Sequence, residues 1–293
     1  MKISLALGGG GSKGISHLGV LRCLERQGIK VGAVAGTSAG GIVAALYAAG
    51  YSPDVILERF KQLDFSRMYG HEPGDGPSLL GVAGVNRVLK EMLGERTFEA
   101  LSIPTALTSV DLRSGKEIVL KQGRVADAVL ATIALPGIFP PVEMEGFLLV
   151  DGGVMDPVPV APARALAPRL PVVAVVLNTL PEEPIELLAP PRIFRNVPLL
   201  GTIAHLRLAQ AFNIFVHSLE LGSSYITELR LQIDKPDLVI RPQVTDVGLL
   251  DRVDVDEIVE RGEKATEAIV PELRRVFRWR RRLLRYWDYR RAA

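Results

Sequence analysis

The sequence predicts a three-layer α/β/α fold with a mostly parallel central sheet, and two observations carry this prediction. Short β-rich runs alternate with helical patterns along the chain, which is the order of strands and covering helices in a largely parallel sheet. Several runs are apolar at every position, as strands buried on both faces tend to be. With 293 residues, 48% of them apolar, the chain is long enough to bury the core of one such domain.

The first half of the chain follows this alternation, with predicted strands at 2–7 and 31–35 and predicted helices at 12–27, 39–49 and from Ser52 onward. In the first helix, apolar residues from Ile15 to Leu24 recur every three positions, and Gly28 ends the pattern. Ser52 and Pro53 supply an N-cap and a first-turn proline for the third helix. Residues 65–84 are rich in glycine and proline and are predicted to form a long loop.

The second half adds predicted strands at 105–110, 117–120, 147–150, 172–177 and 238–240, and predicted helices at 125–134, 203–233 and from about 255 onward. The runs at 147–150 and 172–177 are fully apolar, so we expect both to be parallel central strands. Residues 181–200 are apolar but rich in proline.

The charge of the chain is unevenly distributed. Residues 271–293 contain nine arginines and only two acidic residues, Glu272 and Asp288, so their net charge is +7. Because the whole chain has a net charge of +2, the remaining residues carry −5. We therefore divide the chain into a domain at 1–270 and a basic, aromatic tail at 271–293. The tail suggests an anionic lipid surface as partner, and no nucleic acid is expected because the basic charge stays in one short segment. A solvated terminal helix would have the same composition.

The composition also bears on location and cofactors. No stretch approaches the roughly 20 apolar residues of a membrane span, and the first apolar run ends at Gly8, too soon for a signal peptide. The expected location is the cytoplasm, with membrane contact only peripheral. The single cysteine, Cys23, excludes an intramolecular disulfide and is interpreted as a core residue. No cluster of ligands indicates a metal, and no cofactor is expected.

A glycine-rich loop lies between the first predicted strand and helix. Gly9, Gly11 and Gly14 fit the dinucleotide-binding pattern G-x-G-x-x-G, but the second strand ends without the carboxylate that would hold a ribose. Lys13 precedes the last glycine, which also excludes a P-loop. Two interpretations remain: backbone N–H groups that point together at a negative charge near a helix start, or a tight strand-to-helix turn.

The second motif, G-x-S-x-G, stands between a predicted strand and a predicted helix, the setting of a nucleophile elbow; its residues are Gly36, Thr37, Ser38, Ala39 and Gly40. The glycines relieve crowding in a sharp turn, so Ser38 would stand exposed where the helix dipole favours a developing alkoxide. Alternatively, the serine only caps the helix. An ordinary α/β-hydrolase carries its serine later in the chain and its histidine on a loop. His205 and His217 lie within a helical pattern, so neither is expected to be catalytic.

The third motif is Asp151-Gly152-Gly153, directly after the apolar run at 147–150. Its glycines would let another backbone approach the aspartate closely, although a simple turn uses the same residues. Together the three motifs resemble the patatin-like phospholipase family, with its G-G-G-x-K/R-G block at 9–14, its elbow at 36–40 and its D-G-G/A motif at 151–153. The segments 131–141 and 111–116 are also similar to family blocks, and the resemblance covers about residues 3–180. Asp156-Pro157 departs from the Asn-Pro of many members.

The resemblance implies a metal-independent serine hydrolase of lipid acyl esters, of the phospholipase A, lysophospholipase or carboxylesterase type. Ser38 would be the nucleophile and Asp151 the general base. The implied oxyanion hole comprises Gly9, Gly10, Gly11, Ser12, Lys13 and Gly14, in which the amides of the first three bind the oxyanion and the lysine orients the loop. A free aspartate with a pKa of about 3.9 is a weak base, so we expect burial to raise the pKa of Asp151. The oxyanion hole would then supply much of the reduction in the activation barrier, about 3 kcal/mol for each hydrogen-bond donor.

The implied substrate is an ester with an apolar acyl group. Residues 65–84 and 181–200 are candidates for a lid or acyl groove, or for ordinary surface packing. A non-catalytic lipid-binding module on the same fold is the alternative function. A nucleotide-binding oxidoreductase is a further one, disfavoured by the missing ribose carboxylate. Head group, positional preference and oligomeric state do not follow from the sequence.

Overall fold

The computed structural model describes residues 1–62, 69–71, 76–178 and 203–292, without the side chains of 203–209, Asn213 and 278–292. The loop predicted at 65–84 is therefore described only in part, and the segment at 181–200 lies outside the described residues. The described residues form eight strands: β1 (Lys2–Leu7), β2 (Lys30–Thr37), β3 (Thr105–Asp111), β4 (Lys116–Leu120), β5 (Val142–Met144), β6 (Phe147–Asp151), β7 (Val172–Val175) and β8 (Leu238–Ile240).

The same residues form eight α-helices: α1 (Ser16–Arg26), α2 (Ala39–Ala48), α3 (Pro53–Lys61), α4 (Ala83–Leu93), α5 (Val125–Thr132), α6 (Val160–Leu166), α7 (Ile203–Asp234) and α8 (Val255–Ala292). The first helix starts later than predicted because Gly11–Ile15 forms a 3-10 helix. Three elements, α4, α6 and β5, are not among the predicted ones. No helix among the described residues is both long enough and apolar enough to cross a membrane.

The strands form one mixed sheet in the order β5-β6-β3-β2-β1-β7-β8, with β4 paired to β3. The pairs β1–β2, β1–β7, β2–β3 and β7–β8 are parallel, which confirms the mostly parallel sheet. The prediction for 147–150 is wrong in direction, because β6 runs antiparallel to β3. The cause is a hairpin with β5, in which Glu145 and Gly146 turn the chain with φ angles of 52° and 84°.

Helices cover both faces of the sheet, as a three-layer fold requires. Side chains alternate along a strand, so Leu5 and Leu7 of β1 join the larger core beneath α1–α5 and α8, while Ala6 points to the opposite face. There, small residues pack against Val160 and Ala163 of α6, and α7 contributes Leu231 to this second layer.

The last helix runs across the boundary predicted at residue 270. Helix α8 continues through Pro271, and Leu273 beyond it is fully buried. It crosses α1 closely: a Cβ on Gly19 would lie 1.9 Å from the Val259 carbonyl oxygen, and one on Gly262 would lie 2.0 Å from that of Ser16. The first turn of the predicted tail therefore belongs to the core.

Candidate active site

The three sequence motifs meet at one edge of the sheet. The carboxyl ends of parallel strands lie on the same edge, so the loop after β1 and the turn after β2 are neighbours. Strand β6 reaches them through its pairing with β3, in which Asp151 stands opposite Ser109. A Cβ on Gly152 would lie 2.4 Å from the Thr108 hydroxyl oxygen, so only glycine allows this approach.

Ser38 occupies a strained turn between β2 and α2. Its φ of 54° is uncommon for a residue with a side chain, and such strain concentrates at functional sites. A Cβ on Gly36 would lie 2.5 Å from the Gly40 carbonyl oxygen, and one on Gly40 would lie 2.2 Å from that of Leu7. The two glycines thus allow the chain to fold back on itself, as the G-x-S-x-G pattern predicts.

The backbone of Ser38 is held by neighbouring threonines. Its N–H donates to the Thr132 hydroxyl (3.0 Å), which donates to the Thr108 carbonyl (2.6 Å). Thr37 hydrogen-bonds the hydroxyl of Thr108 (2.6 Å) and donates to the carbonyl of Asp156 (2.9 Å). These contacts join residues far apart in sequence, and no motif in the chain pointed to them.

Asp151 is 2% exposed and faces Ser38. Its Oδ1 accepts the Gly153 N–H at 2.7 Å, and the Ser38 side chain is close enough to the carboxylate to influence its pKa. Burial raises the pKa of Asp151 to about 6, while the Ser38 hydroxyl and the Gly153 N–H oppose the rise. The carboxylate is consequently a stronger base than a solvated aspartate.

The glycine-rich loop offers fewer free amides than the sequence suggests. The Gly9 N–H, predicted to bind an oxyanion, donates here to the Pro157 carbonyl at 2.9 Å. The N–H of Ser12 donates to the Leu249 carbonyl (2.9 Å), and that of Lys13 to the Gly10 carbonyl (3.2 Å). Over the described ranges, the amides of Gly10 and Gly11 donate to no protein group, which leaves them as the available donors.

Two further contacts hold the glycine-rich loop in place, one with His17 and one with the start of α2. His17 is fully buried and its Nε2 lies 2.8 Å from the Gly8 carbonyl oxygen. Burial lowers the pKa of His17 to about 4, so the ring is neutral and Nε2–H is the donor. A Cβ on Gly14 would lie 2.5 Å from the Ala39 Cβ, which brings the loop against the start of α2. Sequence reasoning missed the role of His17, since a histidine on an apolar helix face carries no distinctive pattern.

Asp156, the departure from Asn-Pro, does not touch the Ser38–Asp151 pair through its carboxylate. The side chain is completely buried and lies 3.1 Å from Arg230 of α7. Burial raises the pKa of Asp156, against the opposing effect of the Arg230 charge. Only its backbone reaches the elbow, through the hydrogen bond from Thr37.

A cavity of about 480 Å³ opens beside Ser38 and Asp151. Its volume lies within the range of small-molecule sites. The walls are mostly apolar side chains of α2, α3 and α4, including Ile42, Val43, Leu46, Ile56, Phe60, Val85, Val88, Leu89 and Met92. The site therefore combines a strained serine, a buried carboxylate and an apolar chamber.

Nδ1 of His217 on α7 lies 3.3 Å from Glu220, on the same helix. The side chain of His205 is outside the described part of the chain.

The second strand ends at Thr37 and runs into Ser38, so no carboxylate stands where a dinucleotide ribose would bind.

Comparisons with known proteins agree with this geometry. The sequence profile described as "Patatin-like phospholipase" matches residues 5–164. An uncharacterized NTE family protein of Mycobacterium bovis is 33% identical over 182 residues, 60% of this chain and 49% of its own length. Lysophospholipase NTE1 of Saccharomyces cerevisiae is 34% identical over 168 residues, 56% of this chain and 10% of its own length.

The chain thus spans about half the length of the mycobacterial relative and a tenth of the yeast one. Among solved structures, VipD from Legionella pneumophila matches with a TM-score of 0.51 at 14% identity, over 92% of this chain and 66% of that one. This likeness concerns the fold. Because the family profile covers more than half of its residues, and includes the glycine-rich loop, the elbow and Asp151, the chain belongs to the patatin-like phospholipase family.

Proposed function

We propose that the protein is a serine hydrolase of lipid acyl esters, with Ser38 as nucleophile and Asp151 as general base. The observation that carries the proposal is the pairing of a serine on a strained turn with a buried carboxylate at the wall of an apolar cavity. A nucleophile and a base within hydrogen-bonding reach are the basis of covalent acyl transfer.

In the proposed acylation, the Ser38 hydroxyl oxygen attacks the ester carbonyl carbon while its proton passes to the Asp151 carboxylate. The carbonyl oxygen becomes an oxyanion, which the amides of Gly10 and Gly11 stabilise. When the intermediate collapses, the ester C–O bond breaks and the leaving alcohol takes the proton from Asp151. Ser38 is left acylated.

Deacylation repeats these steps with water. Asp151 removes a proton from a water molecule, whose oxygen attacks the acyl carbon and forms a second oxyanion. Collapse releases the fatty acid and returns the proton to Ser38, so protons and charges balance over the cycle. The raised pKa of Asp151 supports this role, because a base with a pKa of about 6 accepts a proton more readily than a solvated aspartate.

The apolar cavity supports an acyl chain as the part of the substrate bound by the protein. A yeast relative is named lysophospholipase, which supports a lipid ester as the substrate class. Nothing in the proposed steps needs a metal or cofactor, since the nucleophile, the base and the oxyanion donors are all groups of this chain.

The test is intact-mass labelling with a fluorophosphonate probe on the wild type, Ser38→Ala and Asp151→Asn. We expect one adduct on the wild type, none on Ser38→Ala, and labelling at least a hundredfold slower on Asp151→Asn. Ser218→Ala is the matched control, because this hydroxyl donates only to Ile214 within α7 and should label normally.

A Ser38→Ala protein that still takes the adduct would refute the assignment of the nucleophile. A wild type that takes no adduct, even in detergent micelles, would favour the non-catalytic lipid-binding module. Retention of a fluorescent fatty acid by that inert protein would then support the module.

A further inference from the structure

Helix α7 (Ile203–Asp234) contributes no group to the proposed chemistry and lies outside the residues matched by the family profile. It nevertheless contacts the loops on both sides of Ser38. Each contact is an ion pair with a buried partner, and the two pairs have opposite polarity.

The first contact holds the glycine-rich loop. Lys13 is 7% exposed, and its ammonium lies 3.3 Å from Oε1 of Glu220 and 3.5 Å from Oδ1 of Asn178. Two secondary contacts strengthen the attachment: Oε2 of Glu220 lies 3.3 Å from His217, and the Asn178 amide donates to Ser223 at 3.1 Å. The Lys13 N–H in turn donates to the Gly10 carbonyl, so the ammonium and the candidate oxyanion donors belong to one turn of chain.

The second contact holds the loop that follows Asp151. Asp156 is completely buried and pairs with Arg230 at 3.1 Å. Its backbone N–H donates to the Gly152 carbonyl at 2.8 Å, and its carbonyl accepts from Thr37. Arg230 also lies 3.5 Å from Glu117 and 3.2 Å from Asp234, so three carboxylates share one guanidinium.

We infer that Glu220 and Arg230 are positioning residues, through which α7 fixes the oxyanion loop and the Asp151 loop in one relative arrangement. A buried charge that loses its partner is strongly unfavourable, so each pair constrains the loop to which it is attached. Small displacements of catalytic groups cost large factors in rate. The inference rests on the proposed function of Ser38 and Asp151.

The test measures kcat and KM for p-nitrophenyl butyrate together with the fluorophosphonate labelling rate. For Glu220→Gln we expect kcat and labelling to fall about tenfold with KM within twofold, because the oxyanion exists only in the transition state. Glu228→Gln is the matched control, a glutamate of the same helix that pairs with Arg241 (2.9 Å) and should leave both constants unchanged. In a double-mutant cycle, Lys13→Met and Glu220→Gln should be strongly non-additive.

Arg230→Gln leaves Asp156 buried without its partner, so this variant alone does not separate misfolding from loss of positioning. The rescue variant is Arg230→Gln combined with Asp156→Asn, which removes both charges; we expect its unfolding temperature to recover while kcat stays below that of the wild type. A wild type without a Ser38 adduct refutes the proposed function and this inference with it. A reactive wild type whose Glu220→Gln variant has the same kcat refutes the inference alone.

Discussion

At the scale of single residues, the environment of Asp151 sets a specific pH dependence. The pKa of this carboxyl is raised to about 6 by burial, and the proposed base acts only when deprotonated. We therefore predict that the fluorophosphonate labelling rate rises with pH, reaches half its maximum near pH 6 and levels off above pH 7. The measurement is a rate series between pH 3.0 and 8.5.

The residual labelling of Asp151→Asn should lack this acid limb, because asparagine does not titrate. A wild-type profile centred near pH 4 would contradict the prediction, since it would mean that burial does not perturb the carboxyl. A flat profile would point to a different base.

His17 makes a second prediction at the same scale, concerning stability. Its pKa is about 4 in the folded protein and 6.5 in the unfolded chain, so the neutral ring stabilises the fold fully above pH 6.5 and loses that contribution as the pH falls towards 4. For His17→Gln, the difference in free energy of unfolding from the wild type should shrink by about 3 kcal/mol over this range.

Urea unfolding at several pH values measures this difference. Asp151 and Asp156 titrate in both proteins, so their effects cancel. His71→Gln is the control for the same substitution at an exposed histidine. A His17→Gln difference that is independent of pH would mean that the fold does not lower the pKa of His17.

At the scale of elements, α2, α3 and α4 form the walls of the cavity and should determine the acyl chain it accepts. Val88 of α4 lines the cavity and is only partly buried, so a larger side chain there fills the chamber with little damage to the core. We predict that Val88→Trp lowers kcat/KM for p-nitrophenyl palmitate at least tenfold relative to the butyrate ester. The expectation follows from the cost of excluding methylenes from an apolar pocket, about 1–3 kcal/mol each.

Val55→Trp serves as the matched control, because Val55 of α3 is 49% exposed and is not among the residues that line the cavity. Equal loss of activity on both esters in Val88→Trp would mean general damage to the site. Unchanged palmitate hydrolysis would place the acyl chain elsewhere.

The elements also show which parts of the fold are readable from sequence. β1, β2 and α2 follow from apolar runs bounded by glycines, because burial and sharp turns leave local marks. The direction of β6 does not follow from the sequence, because a short apolar run does not indicate which way a strand runs. The hairpin at Glu145 and Gly146 reverses the chain before β6. The start of α4 has no side-chain cap and contains Gly84, so the sequence has no local signal for the beginning of this helix.

The candidate site divides in the same way. Ser38 and Asp151 carry motifs, because their turns require glycine at fixed spacing. The commitment of the Gly9 amide to Pro157 joins residues 148 positions apart, and the Lys13–Glu220 pair spans 207. Contacts of this kind depend on tertiary packing, which leaves no local pattern along the chain.

At the scale of the whole molecule, the charge asymmetry is attached to the domain through α8. The first half of this helix pairs with α1, through Arg22–Glu263 (3.1 Å) and Arg26–Glu267 (2.6 Å). Leu273 is buried and Phe277 packs on the core, so the basic residues beyond 277 continue a helix that is fixed to the protein. We propose that the seven arginines of 278–291 bring the enzyme to anionic lipid.

The proposal predicts that the full chain sediments with vesicles containing phosphatidylserine, and that a 1–277 variant does not. Truncation at 277 rather than 270 keeps Leu273 and Phe277, so loss of binding would not reflect loss of the core. Each arginine near an anionic surface contributes about 1 kcal/mol, and salt screens this attraction. Binding should therefore fall steeply between low and high salt and be absent on phosphatidylcholine vesicles. Equal sedimentation of the two proteins would mean that residues 278–293 do not contribute to membrane binding. Salt-independent binding of the full chain alone would assign the contact to the tryptophans and leucines of this segment instead of its charge.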